Sequence, residues 1–206
     1  MSSRYRLSKW TGLWRGASLG THARGIAHSM YSDQEAFVRE LLSNAADAIE
    51  KYKLESIQHG LDAQDHCIYV DVDTKERTIR FKDTGIGMSQ EEVIEHLGTV
   101  AKSGTKAFLS KLKEASEDQK AKMIGQFGIG FYSSFVVADQ VSVHTRKAGL
   151  DAKDAVFWQS DGVSEYQVEN KDKDEIGTTI TLHLKDDESL EKFLQPWQVR
   201  SVITNW

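Results

Sequence analysis

Residues 125–131 read GQFGIGF, a composition suited to holding an anion. Gly125, Gly128 and Gly130 can expose successive backbone N–H groups, and a helix that follows adds the positive end of its dipole. The Lys-Ser/Thr ending of a P-loop is missing, but a nest of amides binds anions without it. Glycine packing against a sheet would leave the same pattern. A second group is Asp83-Thr84-Gly85-Ile86-Gly87-Met88, where the glycines allow positive φ and close approach of a flat ligand. The aspartate there can accept from a ligand amino group, although a simple β-turn explains D-x-G-x-G equally well. A third is Glu40, Asn44 and Asp47, which at about 100° per residue fall within a sector of about 60°. Leu41, Leu42, Ala45 and Ile49 take the opposite side, so the three polar groups form either a functional stripe or a solvated face. The fourth is Thr178, which alternation in TTITLHL puts on the same face as Ile180, Leu182 and Leu184. A hydroxyl turned toward a covered face needs a partner: a backbone carbonyl, an ordered water or a ligand.

The elements that carry these groups are legible from their patterns. YSDQEAFVRELLSNAADAIEKYKL opens with Ser32 and Glu35 at capping-box spacing and predicts a helix to about Lys53. CIYVDVD and RTIRFKD predict two strands joined by a polar turn, the second running into DTGIGM. Ser89 and Glu92 form another capping box before the short helix EEVIEHLG. Residues 98–124 are polar and charged, a long excursion between two glycine motifs. FYSSFVVAD predicts a helix, and QVSVHTR, AVFWQS, SEYQVE and TTITLHL predict strands. LEKFLQPWQVRSVITNW is amphipathic. Strands gathered around a few helices point to an α+β fold with one sheet covered on one face.

Composition narrows the function classes. Hydrophobic residues at 39% and charged residues at 28% fit a globular chain with a core of its own. The single cysteine, Cys67, excludes an internal disulfide and reads as a small core residue. No apolar run approaches the ~20 residues of a membrane span. A net charge of -5 argues against broad binding to nucleic acid or anionic lipid. The N-terminus is the exception in charge: Arg4, Arg6, Lys9, Arg15 and Arg24 precede the first acid, Asp33. It reads as a frayed basic arm, with an organelle transit peptide as the alternative.

Taken in order, E-L-x-x-N-x-x-D-A on a helix, D-x-G-x-G after a strand and G-x-x-G-x-G opening a helix form a set. It resembles the ATP-binding fold shared by gyrase B, heat-shock protein 90 chaperones, sensor histidine kinases and MutL repair proteins. Longer stretches (YSDQEAFVRELLSNAADAIEK, DTGIGMSQEEVIEHLGTVAKSGTKAFL, IGQFGIGFYSSFVVAD and GTTITLHLK) are similar to the N-terminal domain of heat-shock protein 90. FWQSDGVSEYQVE, His96 before Leu97-Gly98, and FLQPWQVRSVI resemble its bacterial form more than the eukaryotic cytosolic one. The similarity covers residues 29–206 and leaves 1–28 as a divergent basic segment.

The resemblance implies an α+β two-layer sandwich, a mostly antiparallel sheet covered on one face by helices, of the Bergerat ATP-binding type. It implies that Glu40 is the general base for water attack on the γ-phosphate and that Asn44 binds Mg²⁺ bridging the phosphates. Asp83 would accept the adenine exocyclic amine, Gly87 and Met88 would line the base pocket, and Thr178 would support that end through water. Gly128, Ile129, Gly130 and Phe131 would bring loop amides to the phosphates, helped by Gln126. Residues 98–124 would be the ATP lid, from which Lys102 can reach the nucleotide, and Asp47 would be a pocket-wall group. ATP or ADP with Mg²⁺ are the implied ligands, and client proteins, the family's middle domain and a homodimer of the intact protein the implied partners.

Two departures stand out: Ala46 replaces the commoner serine, and SLGTHARGIAHSMYS stands where the family has a longer apolar helix. Since the family's middle and C-terminal domains are not in this sequence, the expectation is a mainly monomeric piece with slow ATP turnover, bacterial-cytoplasmic or else mitochondrial. The alternatives are a nucleotide-gated interaction module without significant hydrolysis, and a histidine-kinase or MutL-type ATPase domain.

Overall fold

The computed structural model describes residues 2–7 (as backbone), 35–60, 65–98, 131, 133–162 and 166–204. The described chain runs β1 (Ser2–Leu7), α1 (Ala36–His59), β2 (Ile68–Asp73), β3 (Thr78–Asp83) and α2 (Gln90–Val93). It continues through α3 (Ser134–Val137), β4 (Ala138–Arg146), β5 (Val156–Ser160), β6 (Gln167–Asn170), β7 (Gly177–Leu184) and α4 (Pro196–Thr204). The seven strands form one antiparallel sheet in the order β1-β2-β3-β7-β4-β5-β6.

The pleat explains why one face is covered. Val72, Ile79, Leu182 and Val141 share one row across four strands, and Val70, Phe81, Ile180, Val143 and Trp158 share the next. Every second residue of these strands thus faces one layer, where burying apolar area stabilises the fold. α1 closes over those rows with Phe37, Val38, Leu41, Leu42, Ala45 and Ile49, all buried. Phe37 sets its ring edge-on to Phe81 at 6.4 Å and to Phe193 at 5.1 Å, which joins helix, sheet and C-terminal segment. This is the expected α+β two-layer arrangement. Cys67, just before β2, is buried and free, in line with its reading as a small core residue.

Several boundaries differ from expectation. α1 continues past Lys53 to His59 and stops at Gly60, whose left-handed φ of 67° lets its N–H reach the Ser56 carbonyl. Its first helical residue is Ala36, preceded by Glu35 without a side-chain cap, and Ser32 lies outside the described residues. The Ser89/Glu92 capping box is present in full, but the helix it opens passes after Val93 into a π-turn, Ile94–Gly98. The helix expected over FYSSFVVAD ends at Val137, and its last two residues, Ala138 and Asp139, open β4. The C-terminal amphipathic stretch divides at Pro196 into a 3-10 helix, Glu188–Leu194, and α4. The expected basic arm is corrected at its start: Ser2–Leu7 pair along their whole length with β2, from Ser2 opposite Asp73 to Leu7 opposite Ile68. Arg4 and Arg6 alternating with Tyr5 and Leu7 is a strand pattern hidden by the charge.

Candidate functional site

The site grows from the C-terminal end of β3. Asp83 is buried, and its Oδ1 accepts N–H bonds from Gly85 at 2.8 Å and from Thr178 on neighbouring β7 at 3.2 Å. Those two donors fix the carboxyl rotamer. Burial pushes the carboxyl up to about 6 against the amide bonds and the Lys173 charge, which pull it down. The group is therefore a buried acceptor, held in one orientation, ionised above pH 6.

The loop after Asp83 is pinned from three sides. Ile86 donates its N–H to the Ala48 carbonyl of α1 at 2.9 Å, and Gly85 lies so close to Ala48 that a Cβ would stand 2.6 Å from its atoms. Gly87, at a φ of 69°, passes the end of β4 where a Cβ would lie 1.9 Å from the Arg146 carbonyl oxygen. Met88, half-buried, donates its N–H to the Thr145 hydroxyl at 3.0 Å. That hydroxyl also lies 2.9 Å from the hydroxyl of Thr178, its cross-strand neighbour. The Thr178 hydroxyl thus has a side-chain partner that the sequence did not suggest. Thr145 went unnoticed in the sequence because HTR carries no motif; only the β4–β7 register brings it beside Thr178.

Docking the loop on Ala48 brings it one helical turn from Asn44 and two from Glu40. Glu40, Asn44 and Asp47 all lie on the exposed face of α1, opposite Leu41, Leu42, Ala45 and Ile49. Glu40 is exposed, yet the protein around it desolvates the carboxyl enough to raise it above the ordinary glutamate value, outweighing nearby Arg39. Asp47 is raised as well, by burial and then by the charge of Glu50. A raised carboxylate is a stronger base, the direction required for proton abstraction from water.

Phe131 is buried edge-on to Phe135 and Trp158, at 6.2 and 5.7 Å, so its ring belongs to the core and only its backbone is left for a ligand. Lys102, Gln126, Gly128, Ile129, Gly130 and residues 99–124 of the expected lid lie outside the described residues. Lys173, buried in the turn before β7, is a further residue that sequence reasoning missed. It sits in the charge-rich run NKDKDE, which looks like solvated loop.

The donor set suits a cation that arrives with its own ligands. Among the described residues no three His, Cys, Asp or Glu side chains could hold an ion unaided. A single amide oxygen from Asn44 fits Mg²⁺ carried by phosphates and water, a hard ion that keeps most of its shell.

Chaperone protein HtpG of Coxiella burnetii is 48% identical over 184 residues, which cover 88% of this chain and 29% of that protein. Chaperone protein HtpG of Cronobacter sakazakii is 48% identical over 185 residues, with the same coverage. Chaperone protein HtpG of Acinetobacter baylyi is 47% identical over 186 residues, covering 28% of its length. The chain therefore spans under a third of the length of the curated relatives it matches. Over residues 31–189, well beyond half of its length, it matches the profile described as histidine kinase-, DNA gyrase B- and HSP90-like ATPase, and it belongs to that family.

Proposed function

We propose that this chain is the ATP-binding and slowly ATP-hydrolysing domain of a chaperone of the HtpG kind, its nucleotide state governing a lid and a clamp that act on client proteins. The observation that carries this reading is Asp83: a buried carboxylate locked through Oδ1 by two amides, its loop docked on the helix that carries Glu40 and Asn44. An exocyclic amine is the ligand group that such an acceptor suits.

In this reading Asp83 orients the base, with Met88 against it and the Thr145–Thr178 pair holding the loop. Asn44 contributes its amide oxygen to Mg²⁺, which when bound draws negative charge off the phosphates. Glu40, one turn away, takes the proton of the attacking water. Lys102 and the amides of Gly128, Ile129, Gly130 and Phe131, with Gln126, hold the phosphates. In the intact protein, the middle domain and a second subunit complete the ATPase and form the homodimer. A cytoplasmic location of bacterial type belongs to the same proposal. Among the described residues no helix is long and apolar enough to cross a membrane.

The test is calorimetric titration with ADP and Mg²⁺ alongside single-turnover ATP hydrolysis. Asp83→Asn is expected to abolish binding, because its amide presents a donor where the base also donates. Glu40→Ala is expected to bind ADP normally and lose hydrolysis by about 100-fold or more. Normal ADP binding by Asp83→Asn would overturn the adenine assignment. Equal hydrolysis by wild type and Glu40→Ala would leave a nucleotide-gated interaction module.

A further inference from the structure

Lys173 is a lysine with almost no access to solvent: its side chain is 5% exposed, in a turn where both flanking acids, Asp172 and Asp174, are exposed. Burying an ammonium is costly unless its charge is used. Its Nζ donates to the Glu175 carbonyl at 2.9 Å and stands 4.0 Å from the Glu175 carboxylate, which is itself held by Lys82 at 2.9 Å. The turn is hooked to the chain between β4 and β5, with the Lys173 N–H on the Ala152 carbonyl and the Lys171 N–H on that of Ala155. Two residues beyond Glu175, Gly177 at a φ of 108° passes so close to β3 that a Cβ would lie 2.3 Å from the Asp83 carbonyl oxygen. The next N–H, that of Thr178, is the one that reaches Asp83 Oδ1.

One buried cation thus sits at the root of the turn that delivers a ligand-orienting amide. Its charge lowers the Asp83 carboxyl, by less than burial raises it and less than either amide bond lowers it, and that carboxyl in turn raises Lys173. The other charged groups facing Lys173 are Glu175, Lys82 of β3 and Arg146 of β4. We propose that Lys173 is a positioning residue of the base subsite: tied to the Glu175 carbonyl, it fixes the turn that brings the Thr178 amide to Asp83, and its charge holds the Asp83 carboxylate in its acceptor form. Lys173 touches no ligand. It acts through Asp83, and the proposal rests on the reading of Asp83 as acceptor of the adenine amine.

The test follows the Asp83 carboxyl by carbon NMR across pH 4–9 in the free 206-residue chain. Adenosine affinity is measured over the same range, since that ligand carries no titrating phosphate. Wild type is expected to titrate at about 6 and to bind adenosine less well below it. Lys173→Met is expected to move the midpoint upward by about one pH unit and to weaken adenosine about fivefold at pH 6, with recovery at pH 9. Lys173→Gln keeps a donor for the Glu175 carbonyl without the charge, and separates geometry from charge by giving the same upward midpoint. Lys173→Arg restores charge and is expected to restore the profile. An unmoved midpoint in both neutral variants overturns the proposal while leaving the adenine reading standing. A moved midpoint with adenosine affinity unchanged in every variant, Asp83→Asn included, overturns the adenine reading and with it Lys173's place in a base subsite. If Lys173→Met does not fold, Lys173→Gln alone decides.

Discussion

Asp83 is a carboxylate buried at a cost to the fold. Its carboxyl is raised to about 6 in the folded chain, against an ordinary value of 3.8, and burial is the leading cause. The folded state therefore holds more protons than the unfolded one between those two values. Stability contributed by the protonated form is complete below pH 3.8 and is lost as pH rises to 6. Asp83→Asn keeps a carbonyl oxygen for the Gly85 and Thr178 amides and removes the titration. Its melting temperature relative to wild type is expected to climb from pH 4 to pH 6 and then level, with the plateau worth on the order of 1–3 kcal/mol. Thermal melts of both proteins at half-unit pH steps check this, and a difference independent of pH would contradict it. If Asp83 accepts the adenine amine, the gain in stability is expected to accompany loss of nucleotide binding, a trade of stability for function.

The loop Thr84–Met88 shows what could be foreseen from sequence and what could not. Asp83, Gly87 and Thr178 carry local signatures in the sequence (a carboxylate at a strand end, glycines in a turn, an inward hydroxyl by alternation), whereas Met88 was implied by the resemblance alone. The contacts that make them one site are not local. Ala48, Thr145 and Lys173 have ordinary types in ordinary surroundings, and they matter through a helix–loop hydrogen bond, a cross-strand register and a turn hooked to the chain between β4 and β5. Strand β1 was missed for a related reason, since six residues with two arginines show no apolar run until β2 is there to pair with them. The helix end at Gly60 was the more readable miss, a glycine after a helical run being a stop signal in its own right. The docking also predicts which substitutions the loop tolerates. Gly87→Ala meets both a positive φ and the Arg146 carbonyl, so it is expected to cost about 2 kcal/mol or more and to weaken nucleotide binding. Thr145→Val strands the Met88 N–H and the Thr178 hydroxyl, at about 1–3 kcal/mol. Denaturant titration measures both, and unchanged midpoints would show that the loop is not pinned as described.

At the scale of the molecule, the sheet separates the site from the edges. Asp83, Thr178 and Thr145 lie on β3, β7 and β4, three adjacent strands at the centre of the order, while β1 lies beyond β2 at one edge. Removing residues 2–7 should therefore leave the base subsite intact and uncover β2. That strand carries Ile68, Val70 and Val72 on its covered face, and without β1 its outer N–H and C=O groups are unpaired along six residues. An open edge of that kind recruits other strands. The truncated chain is expected to bind ADP with unchanged affinity and to lose on the order of 2 kcal/mol from the missing cross-strand pairs. For a chain of this size that lowers the melting temperature by roughly 4–8 °C. It is also expected to self-associate as concentration rises, whereas the full chain at the same concentrations does not. Sedimentation velocity over a concentration series, with ADP calorimetry on the same samples, measures both effects. A truncated chain that stays monomeric and as stable as the parent would mean that β1 contributes nothing to the sheet. A loss of ADP affinity without loss of stability would mean that the N-terminal strand acts on the site through a path other than the β2–β3 ladder.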